Sequence, residues 1–218
     1  MPYRVNSIDP KKTAMIVVDM QRDFVAVGAP METPAARAMV PVLAGALKFC
    51  RDTGIRIIYT AHTHRRDGCD MGLFDDLWPP IANRSGLVDE TVGIEIYPDL
   101  APVPGEHVIK KHRYSAFFGT DLDIILREWG IDTVIVSGTT TENCCHATAR
   151  DAMFRNYKVV FLSDATGTFD YPDVGQGGMS ADEVHRATMI ILSVSTADVM
   201  TVEEMMRRVQ APMRAAAE

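Results

Sequence analysis

Short runs of β-branched and aliphatic residues alternate with stretches whose apolar positions recur every three or four residues. AMIVVD (14–19) is an unbroken apolar run ending in an acid, the pattern of a strand buried on both faces. Residues 34–53 predict a helix, with Thr33 as N-cap, Pro34 at the first position and Gly54 just past the end. Its apolar stripe is Met39, Val42, Leu43, Ala46, Leu47 and Cys50. Further strands are predicted at IRIIYTA (55–61), HVIKK (107–111), DTVIVS (132–137), KVVFLS (158–163) and, short and last, ADVM (197–200). Helices are predicted near 121–129, closed by Gly130, and at 142–156. Two capping-box patterns, Ser180 with Glu183 and Thr201 with Glu204, open the last two. Residues 62–100 carry no long periodicity and read as loop, with one short strand near 92–96.

Strand–helix alternation over 218 residues, without a repeat or linker, predicts one α/β domain spanning 1–218 around a mostly parallel sheet. In such sheets ligands bind beyond the carboxyl ends of the strands. Three of those ends carry chemistry: Asp19 after the first strand, Lys110 and Lys111 closing the 107–111 strand, and Cys144 and Cys145 where the 132–137 strand enters a helix. A thiol at a helix start, with an ammonium nearby, is expected to have a lowered pKa, and an aspartate can accept its proton. Taken singly, each of these residues reads equally well as a cap, a solvated lysine or a small core residue.

Composition narrows the picture without deciding it. Hydrophobic residues are 47% and charged residues 23%, which excludes a disordered chain. The net charge of −7, without a basic cluster, argues against nucleic acid or an anionic membrane as partner. No apolar run reaches the roughly 20 residues of a membrane helix, and MPYRVNSIDP lacks a signal peptide's apolar stretch. A cytoplasmic protein with its four cysteines reduced is therefore expected. Their spacing, without a C-x-x-C pair, suits neither a disulfide scaffold nor zinc.

The segments VVDMQRDF (17–24), KKHRYSAF (110–117) and GTTTENCCHATARDA (138–152) together resemble the isochorismatase-like cysteine hydrolases, in that family's order and over nearly the whole chain. The resemblance implies a three-layer sandwich around a sheet of about six strands and an amidohydrolase that needs no cofactor. Carried over by motif, Asp19 takes the place of the general base, Lys111 rather than Lys110 that of its cationic partner, and Cys144 that of the nucleophile. Cys145 falls where the family commonly has an apolar residue. The backbone amides of Thr141 and Cys144 are implied as the oxyanion hole, beside a cis peptide at Thr140–Thr141.

The presence of Cys144 points to C–N rather than vinyl-ether cleavage. The loop after the 158–163 strand resembles the biuret hydrolase branch, with Gln176 as the implied ureide contact and Phe24 as a ring lining the pocket. The alternative is an N-carbamoyl amino acid or ureidoacrylate-type hydrolase, favoured if Arg113 or Arg150 enters the site. His62 and His64 fall where nicotinamidases carry metal ligands, but two histidines do not complete a zinc site, so no metal is expected. Position 142 is Glu where the family more often has Asp or Asn. A non-catalytic, redox-sensing protein on the same fold is the remaining reading. Family habit and the methionines Met200, Met205, Met206 and Met213 lead to an expected homodimer or homotetramer.

Overall fold

The computed structural model describes residues 4–215, with side chains of the last helix described as far as Val209. Six strands, β1 (Thr13–Val18), β2 (Arg56–His62), β3 (His107–Lys111), β4 (Thr133–Thr139), β5 (Lys158–Gly167) and β6 (Asp198–Met200), form one sheet in the order β3-β2-β1-β4-β5-β6. Every pairing is parallel.

Each central strand feeds two cores because successive side chains point to opposite faces. Met15 and Val17 of β1 join one core; Ala14, Ile16 and Val18 join the other. The first core is covered by α2 (Pro34–Ala38), α3 (Val40–Thr53) and α9 (Val202–Ala215), through Ala36, Leu43, Leu47 and Val209. The second is covered by α6 (Leu122–Glu128), α7 (His146–Phe154) and α8 (Ala181–Ser195), through Leu126, Ala152 and Leu192. No described helix is long and apolar enough to cross a membrane.

Connections run outward from β1 on one side and from β4 on the other, so the chain reverses direction across the sheet between these strands. A crevice opens at such a switch point. β1 and β4 come unusually close there. Gly138 has φ +111°, and a Cβ on it would run into the Val18 carbonyl oxygen. Only glycine fits between the two strand ends.

The structure departs from the expected elements where local chemistry overrides the pattern. The helix expected over 34–53 divides at Met39 into α2 and α3, because Pro41 has no N–H and disfavours helical geometry before it. Thr33 does not cap it; its hydroxyl donates to the Met31 carbonyl at 3.0 Å instead. Gly54 does close α3 in a left-handed conformation, φ +80°. The strand expected near 92–96 is a 3₁₀ turn, Val92–Ile94, with a single bridge from Ile96 to Gln21. The 62–100 stretch also holds two short helices, α4 (Phe74–Leu77) and α5 (Pro79–Ala82). The Ser180–Glu183 capping box is complete, whereas at Thr201 only the hydroxyl-to-Glu204 half forms. The Glu204 carboxylate is held by Arg207 and Arg208.

Candidate active site

Asp19, Lys111 and Cys144 converge at the carboxyl ends of β1, β3 and β4. Asp19 follows β1 directly, in a left-handed conformation with φ 50°, and its N–H lies 3.2 Å from both the Thr60 carbonyl and hydroxyl oxygens. The Thr60 hydroxyl donates to Asp19 Oδ1 at 2.6 Å, and Lys111 Nζ lies 2.7 Å from Oδ2. Lys111 also donates to the Arg113 carbonyl at 3.0 Å and to Cys144 Sγ at 3.4 Å. Both the lysine and the aspartate side chains are fully buried. Lys110 points the other way, as strand alternation requires, and pairs with Asp89 on the surface at 2.6 Å.

Cys144 sits in a wide π-type turn, Thr141–Cys145, that precedes α7. The first turn of a helix leaves its N–H groups without intrahelical acceptors, so anionic oxygen is favoured there. Cys145 points into the second core and makes only a long sulfur contact, 3.7 Å, to the Ser137 carbonyl. Its neighbour faces the crevice. Burial pushes the Cys144 thiol up, as does the Asp19 carboxylate, and Lys111 only partly opposes them. The lowered pKa expected from a helix start is therefore not what the fold produces: burial outweighs the nearby ammonium and pushes the thiol up. Burial alone would lower Lys111, but Asp19 and Cys144 offset it and the ammonium is held above its ordinary range.

A narrow chamber of about 20 Å³ opens over the sulfur, walled by Phe24, Trp78, Tyr114, Phe169 and Asn143 among others. Phe24 comes from α1 (Arg22–Val25), immediately beyond Asp19. The Trp78 indole N–H donates to the Tyr114 hydroxyl at 2.9 Å. Asn143 and Glu142 both bind the Tyr171 hydroxyl at 2.8 Å, which ties the Gly-rich loop to the turn that carries Cys144. A larger surface groove, about 610 Å³, runs along β3 and touches none of the three central residues.

An acid, a cation and a thiol buried in mutual contact at a switch point are the arrangement the three motifs implied. The isochorismatase domain model matches residues 13–204. The chain belongs to the isochorismatase family. The crystal structure of a cysteine hydrolase from Pseudomonas syringae pv. phaseolicola 1448A superposes with a TM-score of 0.92 at 36% identity, over 97% of this chain and 98% of that one. Nicotinamidase 3 of Arabidopsis thaliana is 30% identical over 94% of this chain and 93% of its own length. Ureidoacrylate amidohydrolase RutB of Methylorubrum extorquens AM1 is also 30% identical, over 79% and 77%.

Within this family framework three implied details fall elsewhere. The cis peptide joins Thr139 to Thr140, one residue before the implied Thr140–Thr141. Thr141 itself is fully buried, its hydroxyl 3.0 Å from His185 Nδ1. Gln176 is exposed in the Gly-rich loop and does not line the chamber; the side chain this loop brings there is Phe169. Asp173 explains the difference, because its carboxylate accepts from the Gly175 and Gly177 N–H groups and folds the segment around Gln176 on itself. His62, expected at the start of the loop, instead ends β2, and both it and His64 are buried, 2% exposed each.

The chamber wall contains side chains that sequence reasoning passed over. Tyr114 and Asn143 lay inside quoted motifs and were within reach. Trp78 lies in the aperiodic stretch, where no pattern marks it.

Among the described residues, two groups bring metal-type donor atoms within 4.8 Å of one another: Asp19, His62 and Cys144, and His64, Asp70 and His112. The first coincides with the candidate site, with Asp19 already occupied by Lys111 and Thr60. In the second, His112 Nδ1 lies 2.6 Å from the Thr63 carbonyl and so carries a proton, which leaves that nitrogen without a lone pair for a cation.

His62, His64, His146 and His185 are all held below their ordinary value of 6.5, in each case chiefly by burial. As pH falls through about 6.5 the unfolded chain takes up protons at these imidazoles and the folded chain does not. Their contribution to stability is thus full at neutral pH and is lost on acidification. The urea midpoint should drop steadily between pH 7 and pH 5; a flat or rising profile would contradict this.

Proposed function

We propose that the protein is a cysteine amidohydrolase that cleaves a C–N bond of a small, flat, uncharged linear ureide of the biuret type through a thioester. The observation that carries the reading is the buried Asp19–Lys111–Cys144 contact opening onto a chamber whose wall holds neither Lys nor Arg. Because burial pushes the thiol up, deprotonation and attack are coupled: Asp19 takes the Sγ proton as sulfur bonds to the carbonyl carbon. Lys111 stabilises both the thiolate and Asp19. The amides of Thr141 and Cys144 receive the oxyanion. Asp19 then protonates the leaving nitrogen, the C–N bond breaks, and ammonia or an amine departs. Asp19 next activates a water that hydrolyses the thioester. The sulfur chemistry requires a reduced thiol, consistent with a cytoplasmic location.

The rival, a hydrolase of N-carbamoyl acids or ureidoacrylate, needs a cation for the substrate's carboxylate. Arg113 is instead engaged with the carbonyls of Asp70 and His112 at 2.9 and 2.5 Å, and Arg150 with His146 Nε2 at 2.9 Å. Aromatic walls suit a planar amide, and the polar groups of Asn143 and Tyr114 can pair with its N–H and C=O groups.

Ammonia release across biuret, triuret, N-carbamoyl amino acids, ureidoacrylate and nicotinamide tests the reading. Biuret or triuret should give the highest kcat/KM. Preference for a carboxylate-bearing substrate would overturn the substrate class, and no ammonia from any of them would overturn the amidase reading.

A further inference from the structure

The chamber over Cys144 is smaller than the chemistry requires. Its volume of about 20 Å³ holds about one water, far less than any amide of the panel. The wall must therefore part for substrate to enter. Much of it is sealed: Phe24, His62, Ile81, Leu87 and Thr140 are buried. The half-buried part is Met31, Trp78, Tyr114, Asn143 and Phe169. Three of these are tied by hydrogen bonds, Trp78 to the Tyr114 hydroxyl at 2.9 Å and Asn143 to the Tyr171 hydroxyl at 2.8 Å. The side chains of Met31 and Phe169 are held by apolar contact alone. Phe169 stacks on Tyr171 at 5.3 Å between centroids and meets Trp78 edge-on at 5.6 Å.

A second pocket, of about 280 Å³, lies on the other side of these side chains and shares Met31, Trp78 and Phe169 with the chamber. Its remaining walls are Pro30, Glu32, Pro79 and Pro80, of which Pro30 and Pro79 are exposed. The same three residues thus separate Cys144 from a pocket open to solvent. With Phe169 turned away, chamber and outer pocket run together into one site of small-ligand size.

We propose that the outer pocket is the entry subsite for substrate, with Phe169 and Met31 as the gate, Trp78 as its fixed post, and a preference for the uncharged far end of a linear amide. Methionine, unbranched and flexible, and a ring held only by ring contacts are side chains that can move without breaking a hydrogen bond. Three prolines and two aromatic rings offer flat apolar walls to planar amide groups. Glu32 is the one charged side chain lining the pocket. Its carboxylate accepts from the Gly28 N–H and from Arg37, both at 2.8 Å, and these hold it below its ordinary range. Arg37 is spent on Glu32 and on the Val25 carbonyl. The carboxylate has lone pairs left for a ureide N–H, whereas a substrate carboxylate meets like charge before it reaches the gate.

That the visitor is an amide rests on the amidase reading; the gate is tested without turnover. In a Cys69→Ser background, which removes the exposed thiol, the protein is alkylated with iodoacetamide or iodoacetate and the labelled cysteine is located by peptide mass. Phe169→Ala should raise the iodoacetamide rate at Cys144 about tenfold, as when a mostly closed gate is removed, with Cys145 unlabelled. Glu32→Gln should raise the ratio of iodoacetate to iodoacetamide rates at Cys144 about threefold, a ratio that cancels changes in thiol reactivity. Glu128→Gln on α6, the same loss of charge across the sheet, should leave that ratio unchanged. In ammonia release, Glu32→Gln should shift kcat/KM toward ureidoacrylate relative to biuret by a similar factor, through KM. An unchanged rate in Phe169→Ala would overturn the gate, and so would labelling of Cys145 beside Cys144, which marks a loosened core. A ratio in Glu32→Gln equal to that of wild type, or matched by Glu128→Gln, would overturn the subsite. A wild type inactive on every amide, with the alkylation results as expected, defeats the amidase reading and leaves the gate and its charge preference standing.

Discussion

Replacing Cys144 by Ala should lower amide hydrolysis by about 10⁴-fold or more while leaving a folded protein. Sulfur is the atom that bonds to the carbonyl carbon, and no other thiol reaches the chamber: Cys145 is turned into the second core, Cys50 points from α3 into the first, and Cys69 is exposed in the loop. The stability cost is small because Lys111 keeps its contacts to Asp19 and the Arg113 carbonyl when the sulfur is gone. Losing one buried sulfur costs on the order of 1 kcal/mol. Cys144→Ser should be nearly as inactive, since an alcohol is a far weaker acid than a thiol and Asp19 must remove its proton. Cys145→Val, which replaces one buried apolar side chain by another, should stay within about threefold of wild type in kcat/KM. Steady-state ammonia release with thermal melts checks all three. A Cys144→Ala enzyme with normal turnover, or a dead Cys145→Val, would show that the wrong sulfur has been assigned.

Asp19, Lys111 and Cys144 were legible because the fold's logic is one-dimensional at that point. Parallel strands bring their carboxyl ends to one edge, so three chemically capable residues at three strand ends are neighbours before any coordinates exist. The alternation of Lys110 and Lys111 is equally simple, and the structure resolves it, with one lysine at the surface and the other sealed against Asp19. Depth was not legible. A helix start and an ammonium suggest an activated thiolate, but the desolvation that reverses the sign depends on how much chain covers the sulfur. Most of that cover, Trp78, Tyr114 and Phe169, comes from segments distant in sequence from Cys144. The histidines show the same limit: His62-Thr-His64 reads as the start of a loop until Phe74 and the β3 end are folded over them.

Among the elements, the long buried strands stood out because they combine apolar runs with β-branched residues, whereas the errors came from single residues outweighing a pattern. Pro41 breaks a helix whose amphipathic stripe continues through it. Asp173 folds the Gly-rich loop on itself and leaves Gln176 in solvent, although the motif around it suggested a ligand contact. Local hydrogen bonds of this kind compete with any role assigned by resemblance.

Lys111→Met tests the buried pair where the energetic stakes are highest. The substitution keeps much of the side chain's volume but leaves the Asp19 carboxylate fully buried, with Thr60 as its remaining side-chain donor. Breaking a buried ion pair from one side costs about 3–5 kcal/mol, so the urea midpoint should fall sharply at pH 7. Hydrolysis should fall by about 10³-fold or more, because nothing then stabilises the thiolate. The unpaired carboxylate is expected to acquire a raised pKa in the folded variant. A raised carboxylate pKa contributes stability at low pH that is lost as pH rises through it, so the variant's deficit should shrink on acidification toward pH 5. Adding Asp19→Asn removes the stranded charge and retains a group that can accept the Thr60 hydroxyl. Lys111→Met/Asp19→Asn should therefore recover most of the lost stability at pH 7 and remain inactive. Urea titrations of the two variants at pH 5 and pH 7, beside wild type and scored by ammonia release, decide the matter. A single variant as stable as wild type, or a double variant no more stable than the single one, would show that the contact between Lys111 and Asp19 does not carry the charge balance of the site.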